Sequence, residues 1–317
     1  MFKTELCDLL GIEYPIIQGG MVWICYHELC SAVSEAGGLG ILAAGGMTVE
    51  ELKKEIELVK GLTKKPFGVN IPLMRPDAED LIDAVIAGGA NVISTSAGSP
   101  KRFTGKIHDA GLKVIHVSPN VSLAEKGAHA GVDAIVVEGI EAGGHDGFDE
   151  ITTVALVPQT VDRVSIPVVA AGGIADGRGF VAALALGAKG VQVGTRFAAT
   201  HEARAHPKFK EAILNVTDTG TILTARTIAP VRSVKNSLTE RINKAEMSGA
   251  TAEELADLIG EGRSQLASQN GDIDEGTVYC GQIGGMITRL KHAGDVVREM
   301  IGEAEAIVKG LGSLVGS

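Results

Sequence analysis

The chain has few aromatic residues and few cysteines. Phe, Tyr and Trp number 7, 3 and 1 among 317 residues, and the four cysteines, Cys7, Cys25, Cys30 and Cys280, show no Cys-x-x-Cys spacing. A set so sparse predicts neither a disulfide framework nor a zinc site. We therefore interpret all four cysteines as buried thiols.

Positive charge is also scarce, since 29 Lys and Arg stand against 39 Asp and Glu, for a net charge of −10. Binding to a nucleic-acid backbone or to an anionic lipid surface requires an excess of cationic side chains. No stretch reaches the roughly 18 apolar residues of a membrane span, and charges interrupt the opening segment MFKTELCDLLGIEYP. The sequence therefore predicts a cytoplasmic protein that binds neither nucleic acid nor membrane.

Motifs of several common enzyme classes are missing as well. No Gly-x-Gly-x-x-Gly follows a first strand and no Gly-x-x-x-x-Gly-Lys-Ser/Thr occurs, which argues against a Rossmann dinucleotide site and a P-loop. The chain also lacks His-Glu-x-x-His and Gly-x-Ser-x-Gly, so metal-dependent and serine hydrolases of those types are set aside. No metal site is predicted.

Glycine, by contrast, is abundant, at 42 residues. It occurs in the turns of a repeated unit, which consists of a short apolar run, a turn and a helical stretch. Such alternation predicts parallel strands joined by crossover helices. Eight units fit an α/β fold, the (β/α)₈ TIM barrel of about 200 to 250 residues, with an open doubly wound sheet as the alternative. The eight runs are Pro15 to Gly19, Leu39 to Ala43, Phe67 to Ile71, Val92 to Ser96, Lys113 to Val117, Ala134 to Val137, Val168 to Ala171 and Gly190 to Val193.

The sequence also predicts helices between these runs. The segment Thr48 to Val59 begins with a capping box formed by Thr48 and Glu51, and its apolar residues repeat at helical spacing. Ala78 to Ala87 and Phe180 to Leu186 follow the same logic. The pattern therefore supports crossover helices rather than long loops.

After Phe197 the pattern changes, because residues 200 to 275 contain charged helical segments and no regular strand runs. We expect an appended, mainly helical lid region over the barrel mouth. The predicted division is a barrel over residues 1–199, a lid and substrate region over 200–290, and a C-terminal part over 291–317. Within that last part, a helix from about Ala293 to Lys309 would pack back on the barrel.

Barrel enzymes place their chemistry just after the strands, so residues at those positions are candidates. Strand one ends in Gly19, Gly20 and Met21, where missing side chains would let the backbone approach a flat ligand. Strand three ends in Asn70, which could fix the edge of a polar heterocycle. A plain tight turn and a turn-capping amide are the competing interpretations.

The ends of strands seven and eight form a candidate phosphate site. In TIM barrels, glycine N–H groups and a short helix at these two loops commonly hold an anion. Gly172, Gly173, Gly194 and Thr195 occupy these places, and the Thr195 hydroxyl adds a donor. The phosphate of a metabolite would suit the site as well as that of a cofactor.

Strand six leads into the best acid/base candidate, His145, which follows Gly144 in a glycine-rich loop. An imidazole titrates near neutrality and could face a ligand at the barrel mouth, although a lone histidine is more often structural. Glu138 could accept hydrogen bonds from a ligand. We interpret Glu141 and Asp146 as solvated, and Asp146 beside His145 would raise the pKa of the imidazole.

Seven segments of the chain resemble the FMN-binding TIM-barrel superfamily that includes nitronate monooxygenases and flavin-dependent enoyl-acyl-carrier-protein reductases. PFGVNI, EAGGH and the GQIGG-like element look closest to the enoyl reductase branch. The resemblance covers nearly the whole chain and rests on YPIIQGGMVW (14–23), AGGLGI (36–41), KPFGVNI (65–71), EGIEAGGHDG (138–147), IPVVAAGGIADGRG (166–179), GVQVGTRF (190–197) and GDIDEGTVYCGQIGGMI (271–287).

The resemblance implies FMN as cofactor, with its phosphate on Gly172, Gly173, Gly194 and Thr195. It implies a flavin ring close to Gly19, Gly20, Met21, Asn70, Glu138, Gly144 and Gln192. It also implies that His145 transfers a proton beside the flavin, with NADH or NADPH as co-substrate.

The activity implied is NAD(P)H-dependent reduction of an enoyl thioester or a related activated alkene, in fatty acid biosynthesis, with acyl carrier protein as a partner. The acidic, glycine-rich composition separately suggests self-association as a homodimer. Nitronate monooxygenase and NAD(P)H:quinone reductase are alternatives, and a barrel that binds a phosphorylated metabolite without flavin is a third. The chain departs from the enoyl reductase pattern at four places. A lid histidine is missing from Ile228 to Arg232, and Asp146 stands where an apolar residue is usual. Ser118 to Asn120 replaces a small apolar run, and Val117 stands where a lysine would pair with reduced flavin.

Overall fold

Eight parallel strands form a barrel in this computed structural model, which describes residues 2–314. The strands of the chain, in order, are β1 Ile16–Gln18, β2 Gly40–Ala43, β3 Phe67–Pro72, β4 Val92–Ser96, β5 Lys113–Ser118, β6 Ala134–Glu138, β7 Gly144–His145, β8 Val168–Ala171, β9 Gly190–Val193, β10 Thr221–Thr224 and β11 Val231–Val234. The barrel runs β1-β9-β8-β6-β5-β4-β3-β2. Backbone bonds from Gln18 N to Leu39 O (3.0 Å) and from Leu39 N to Ile16 O (2.9 Å) join its two outer strands. The barrel prediction is confirmed, and the open sheet is wrong.

Helices follow most barrel strands and cover the outside of the barrel. In chain order they are α1 Glu5–Leu10, α2 His27–Glu35, α3 Val49–Leu62, α4 Ala78–Gly88, α5 Thr104–Asp109, α6 Val121–His129, α7 Thr153–Val161, α8 Gly177–Ala185, α9 Thr195–Ala198, α10 Pro207–Leu214, α11 Ser237–Met247, α12 Ala252–Ile259, α13 Arg263–Asn270 and α14 Ala293–Gly312. Three short 3₁₀ turns lie at 44–46, 100–102 and 282–286. Within residues 2–314, no helix is long and apolar enough to cross a membrane.

The capping box predicted for α3 is present. Glu51 N donates to Thr48 Oγ1 (3.2 Å), and Thr48 N donates to Glu51 Oε2 (2.8 Å). Leu52, Ile56 and Val59 are buried on one face of the helix. The reciprocal bonds satisfy two backbone donors that the first helical turn would otherwise leave unpaired.

The core has two layers, as alternation along each strand requires. Inward residues such as Ile17, Ile41 and Val136 form an inner cluster, which Leu6 and Leu10 of α1 complete. Outward residues join the helices in a larger cluster. Since α1 contributes to the inner cluster, the amino end of the barrel is filled, and the carboxyl end remains for a ligand.

The four cysteines are all buried and free, as predicted. The last helix, α14, packs against α8 and α2. Glu303 on α14 accepts a hydrogen bond from Gly177 N (2.9 Å) at the start of α8. The chain end is thus fixed to the barrel by both apolar packing and a helix-terminal bond.

The expectation of no strands between residues 200 and 275 is wrong. β10 and β11 form an antiparallel pair with Thr221 opposite Val234, and β7 joins β11 with His145 opposite Val231. These strands are short, and ARTIAP separates TILT from VRSV, so neither run forms an isolated apolar block. Their pairing comes from tertiary contact with the loop after β6, which local periodicity does not encode.

Candidate active site at the barrel mouth

Several predicted residues lie at the carboxyl end of the barrel. Glu138 on β6 is in register with Ala171 on β8, which is in register with Gln192 on β9. Asn70 on β3 lies beside Ser94 on β4. Asn70 and Gln192 are buried, at 7% and 9% exposure. Carboxyl, amide and glycine groups therefore converge at the carboxyl end of the barrel.

The glycines after β1 allow close packing across this mouth. A Cβ atom on Gly20 would lie 2.5 Å from Asn70 Cβ, and one on Gly19 would lie 3.4 Å from Gln192 Cγ. Met21 reaches the end of β9, because a Cβ on Gly194 would find Met21 Sδ at 3.8 Å. A larger residue at Gly20 would displace Asn70, so the residue pair Gly19 and Gly20 has a packing role beyond that of a turn.

Asn70 does not cap a turn. Its Nδ2 atom donates to Ser94 O (3.2 Å), Ser94 Oγ (3.3 Å) and Ser96 Oγ (3.4 Å). The amide thus links β3 to β4 and is held in a fixed orientation at the mouth.

The ends of β8 and β9 carry the predicted phosphate residues on neighbouring strands. Gly172 and Gly173 have φ values of +90° and +74°, a region that glycine adopts without strain. A Cβ on Gly172 would lie 2.6 Å from Gly139 O. Gly194 precedes α9, whose first residue, Thr195, accepts a hydrogen bond from Gly281 N (2.9 Å).

Glu141 is bonded within the protein, which corrects its interpretation as solvated. Its carboxylate accepts hydrogen bonds from Thr153 N (2.9 and 3.1 Å) and Thr153 Oγ1 (3.0 Å). The same hydroxyl oxygen lies within bonding distance of Ala171 O and Gly172 O, at 3.1 and 2.9 Å. Thr153 therefore joins the loop after β6 to the glycine turn after β8. No motif in the sequence signalled this role.

The segment around Gly281 closes the gap between the loops after β6 and β9. Gln282 N donates to Glu141 O (2.9 Å), while Gly281 N donates to Thr195 Oγ1 (2.9 Å). A Cβ on Gly143 would lie 2.5 Å from Gly281 N. Backbone approach this close explains why glycine stands at both Gly143 and Gly281.

His145 lines a cavity of about 190 Å³ between the second sheet, formed by β10, β11 and β7, and the helices α11, α12 and α13. Its ring meets Tyr279 edge to face, with 5.8 Å between centroids. The residue is exposed by more than a third, yet desolvation lowers the pKa of the imidazole, because the ring lies in a concave, protein-lined space. The cavity is lined by His145, Thr224, Ala225, Val231, Ser233, Thr239, Ile242, Ile259, Gly260, Gly262, Arg263, Ser264, Thr277 and Tyr279.

The structure therefore divides the predicted residues into two groups. None of the cofactor candidates lines the His145 cavity; those on the barrel strands lie at the mouth, and Gly144 lies on β7 opposite Arg232. Tyr279 was not predicted as a site residue, although it lies in the GDIDEGTVYCGQIGGMI segment. Its hydroxyl bonds with Ser264, and burial raises its pKa.

Asp146 is not solvated, and it does not raise the pKa of His145. Both of its carboxyl oxygens are buried without a hydrogen-bond partner. Burial, and secondarily the Glu138 carboxyl, raise the pKa of Asp146 to about 9. The side chain is thus neutral at pH 7 and supplies no negative charge to the neighbouring imidazole.

Glu138 is in a similar electrostatic state. Burial raises the pKa of its carboxyl to about 7. The barrel mouth therefore holds two carboxyl groups that are wholly or partly protonated at neutral pH. Such groups donate hydrogen bonds as well as accept them.

A second cavity, of about 280 Å³, lies among the loops after β3 and β4 and includes Arg75 and Arg102 in its lining. Arg75 is paired with Asp77 at 2.6 Å, and Arg102 is paired with Glu79. Since these carboxylates already balance the guanidinium charges, we assign no ligand to this cavity.

Outside the barrel mouth, His27, Glu28 and Glu55 place three possible metal-binding atoms within 4.8 Å of one another. Arg204 lies among them, with Nη2 2.9 Å from Glu28 Oε1 and Nη1 3.6 Å from Glu55 Oε1. The guanidinium already supplies the positive charge that the carboxylates need, so we assign no metal here.

A TIM barrel whose carboxyl end presents glycine backbone, amide and carboxyl groups is typical of enzymes. Comparisons with known proteins specify the class further. A family model described as nitronate monooxygenase matches residues 3–87 and 81–303. The chain therefore belongs to the nitronate monooxygenase family.

Individual relatives carry two kinds of oxidoreductase name. The chain is 41% identical over 244 residues to (3aS,4S,5R,7aS)-5-hydroxy-7a-methyl-1-oxo-octahydro-1H-indene-4-carboxyl-CoA dehydrogenase of Mycobacterium tuberculosis, covering 76% of this chain and 68% of that protein. It is 35% identical over 288 residues to a probable nitronate monooxygenase of Staphylococcus saprophyticus, and the match covers 76% of this chain and 81% of that protein. The structure of FabK from Thermotoga maritima matches with a TM-score of 0.94 and 39% sequence identity, and the match covers 99% of this chain and 100% of that one. The chain is an oxidoreductase of this superfamily.

Proposed function

We propose that the protein binds FMN at the barrel mouth and uses it to reduce an enoyl thioester, or a related activated alkene, with NADH or NADPH. The observation that carries the proposal is that Gly172 and Gly173 directly follow β8, while Gly194 and Thr195 directly follow the adjacent strand β9. This arrangement offers backbone N–H groups and a hydroxyl to a phosphate. The relatives named above support a redox cofactor of this kind.

The residues present fit a flavin. Gly172 and Gly173 are in the left-handed region, and a Cβ on Gly194 would be in ordinary van der Waals contact with Met21 Sδ, at 3.8 Å. The ring would meet the Gly19, Gly20 and Met21 backbone, the fixed Asn70 amide, Gln192 and Glu138. Asp146 supplies a further polar group whose oxygens lack partners.

Bound flavin supplies hydride transfer between a reduced nicotinamide and a second substrate. The protein contributes geometry and proton transfer. His145 would deliver a proton from an imidazole nitrogen to the carbon of the alkene that becomes basic on reduction, which requires the substrate to extend from the barrel mouth into the His145 cavity. Tyr279 packs against the imidazole and limits its rotation.

The test is anaerobic stopped-flow mixing of the FMN-loaded protein with NADH and with NADPH, followed by a panel of enoyl thioesters, quinones and nitronates. We expect rapid bleaching of the flavin by one nicotinamide and its reoxidation by an enoyl thioester. Flavin that both nicotinamides leave oxidised would contradict the proposal. Purified protein that is colourless and binds no added FMN would favour the phosphate-binding barrel without flavin.

Nitronate monooxygenase is the second candidate, because the segment Ile228 to Arg232 carries no histidine. In the structure this segment leads into β11, and Pro230 O accepts a hydrogen bond from Asp146 N (2.9 Å). In this alternative His145 would handle the proton of the nitroalkane or nitronate, and oxygen would be consumed. Flavin reduction by a nitronate, with none by nicotinamide, would favour it.

Quinone reduction remains a variant of the first proposal and is covered by the same panel. Acyl carrier protein as partner, a place in fatty acid biosynthesis, a cytoplasmic location and homodimer formation remain predictions. Pull-down with acylated carrier protein and sedimentation of the purified protein would test the first and the last.

A further inference from the structure

Asp146 lies on the opposite face of the second sheet from His145. Val231 and Ser233 on β11 line the His145 cavity, whereas Arg232 between them does not. Side chains alternate along an extended strand, and Asp146 N continues the pairing by donating to Pro230 O (2.9 Å). The Asp146 carboxyl group is therefore on the side of Arg232 and Glu138, away from the His145 cavity.

The carboxyl group is isolated from solvent and from hydrogen-bond donors. Neither oxygen has a partner among residues 2–314, and each has almost no accessible surface. A buried polar group without a partner is destabilising, and native structures contain few of them. A ligand that satisfies the group is a physical reason for its presence.

The charges around Asp146 do not supply that partner. Glu138 on β6 and Glu141 and Glu150 in the loops disfavour the carboxylate, while Arg232 on β11 favours it. The Arg232 Nε donates to Ile140 O (2.9 Å) and its Nη1 to Thr221 Oγ1 (3.5 Å). The guanidinium is thus bound elsewhere and forms no ion pair with Asp146.

A protonated carboxyl group offers a donor and an acceptor side by side. The polar edge of an isoalloxazine ring offers the complement, because its carbonyl groups flank an N–H. We propose that the Asp146 carboxyl group binds this carbonyl and N–H edge of the cofactor, and so helps to position the ring at the barrel mouth. This inference rests on the proposed function and assigns a role to a residue at which the chain departs from the family pattern.

The test compares Asp146→Asn with Asp146→Leu. The amide keeps a donor and an acceptor, whereas the leucine side chain has a similar size and neither. We expect Asp146→Asn to bind FMN within about threefold of the native protein. Asp146→Leu should bind about tenfold more weakly, because the hydrogen bonds to the cofactor are lost; tenfold corresponds to about 1.4 kcal/mol. Titration of FMN-free protein by flavin fluorescence measures both.

Thermal stability gives a second readout that does not depend on activity. In FMN-free protein, Asp146→Leu should raise Tm, because it removes a buried group without a partner. The increase in Tm on adding FMN should be smaller for Asp146→Leu than for the native protein, because the native carboxyl group gains its partner from the ligand. Asp149→Leu, in the exposed part of the same loop, serves as the control and should leave the FMN-induced increase unchanged.

The pH dependence of FMN binding distinguishes the native Asp146 carboxyl group, which can ionise, from the amide of Asp146→Asn, which cannot. FMN affinity of the native protein should fall as pH rises through about 9, where Asp146 loses its proton, while Asp146→Asn should lose less affinity over that range. Equal FMN affinity and equal FMN-induced Tm increases in Asp146→Asn and Asp146→Leu would overturn the inference. Native protein that binds no FMN would instead contradict the proposed function, and this inference with it.

Discussion

At the scale of single residues, the position of His145 on β7 determines what its imidazole can reach. The residue faces a protein-lined cavity with Tyr279 against its ring, and the strand pairing with Val231 fixes its backbone. A side chain held in this way loses little further entropy when a substrate binds, which favours a role in proton transfer.

We predict that His145→Ala retains bound FMN but lowers turnover about 100-fold or more, the size of effect expected for a general acid or base. The cofactor candidates do not line the cavity that contains His145, so cofactor binding should survive the change. Flavin absorbance of the purified variant and its steady-state rate measure the two effects. His129→Ala, on exposed α6, is the control, and unchanged turnover in His145→Ala would remove this residue from the mechanism.

The lowered pKa of His145 makes the direction of the pH dependence informative. Desolvation favours the neutral imidazole, so the protonated fraction is already small at pH 7. If the residue donates a proton to a reduced alkene, kcat/KM should fall as pH rises through a value below 6.5. If it accepts a proton from a nitroalkane, kcat/KM should rise over the same range. Rate profiles with both substrate classes, repeated with His145→Ala, distinguish the two proposed functions.

At the scale of secondary structure, the sequence predicts the barrel strands well because their signal is local. Val92–Ser96, Val168–Ala171 and Gly190–Val193 have the predicted bounds. Central strands of a parallel sheet are buried on both faces and so appear as continuous β-branched runs. Glycine turns mark where each run ends.

The elements that the sequence missed depend on contacts between distant segments. β7 consists of Gly144 and His145, which have no strand propensity pattern of their own and pair only because β11 lies beside them. The burial of Asp146 follows from this pairing. A charged residue in a glycine-rich loop is solvated in most proteins, so sequence alone favoured the wrong interpretation.

The contact between α9 and the Gly281 segment leads to a prediction about Thr195. Thr195→Val should lower the free energy of unfolding by about 1–3 kcal/mol, because it removes the acceptor of the buried Gly281 N–H group. It should also weaken FMN binding, since a hydroxyl donor to the phosphate is lost. Urea unfolding and FMN titration measure the two losses.

Thr195→Ser is the matched control for this change, because it keeps the hydroxyl group and should retain both properties. A valine variant as stable as the serine variant would show that the Gly281 segment does not depend on this bond. Equal FMN affinity in both variants would remove the hydroxyl from the proposed phosphate site.

At the scale of the whole molecule, the barrel is closed at one end and covered at the other. Helix α1 fills the amino end with Leu6 and Leu10. At the carboxyl end, Gln269 on α13 donates through Nε2 to Trp23 O (2.6 Å) and Arg204 O (3.2 Å), which joins α13 to the loop after β1. The ligand site is thereby desolvated even before a ligand binds, and this desolvation raises the pKa values of Glu138 and Asp146.

Glu138 and Asp146 make the free energy of unfolding of the protein depend on pH. Their ordinary pKa values are about 4.3 and 3.9 in an unfolded chain, whereas in the folded protein they are about 7 and about 9. The folded state therefore binds more protons between pH 4 and 9. Stability contributed by these groups is complete at low pH and is lost as pH rises, for Glu138 up to about pH 7 and for Asp146 up to about pH 9.

We predict that Glu138→Gln flattens the pH dependence of the unfolding free energy between about pH 4 and 7. The glutamine cannot ionise, so the folded state no longer loses a favoured proton over that range. Urea unfolding of FMN-free protein at a series of pH values measures the difference from the native chain. Glu50→Gln, on the exposed first turn of α3, should give a curve parallel to that of the native protein. A parallel curve for Glu138→Gln would mean that Glu138 is ionised in the folded protein, and that the mouth is more hydrated than the structure indicates.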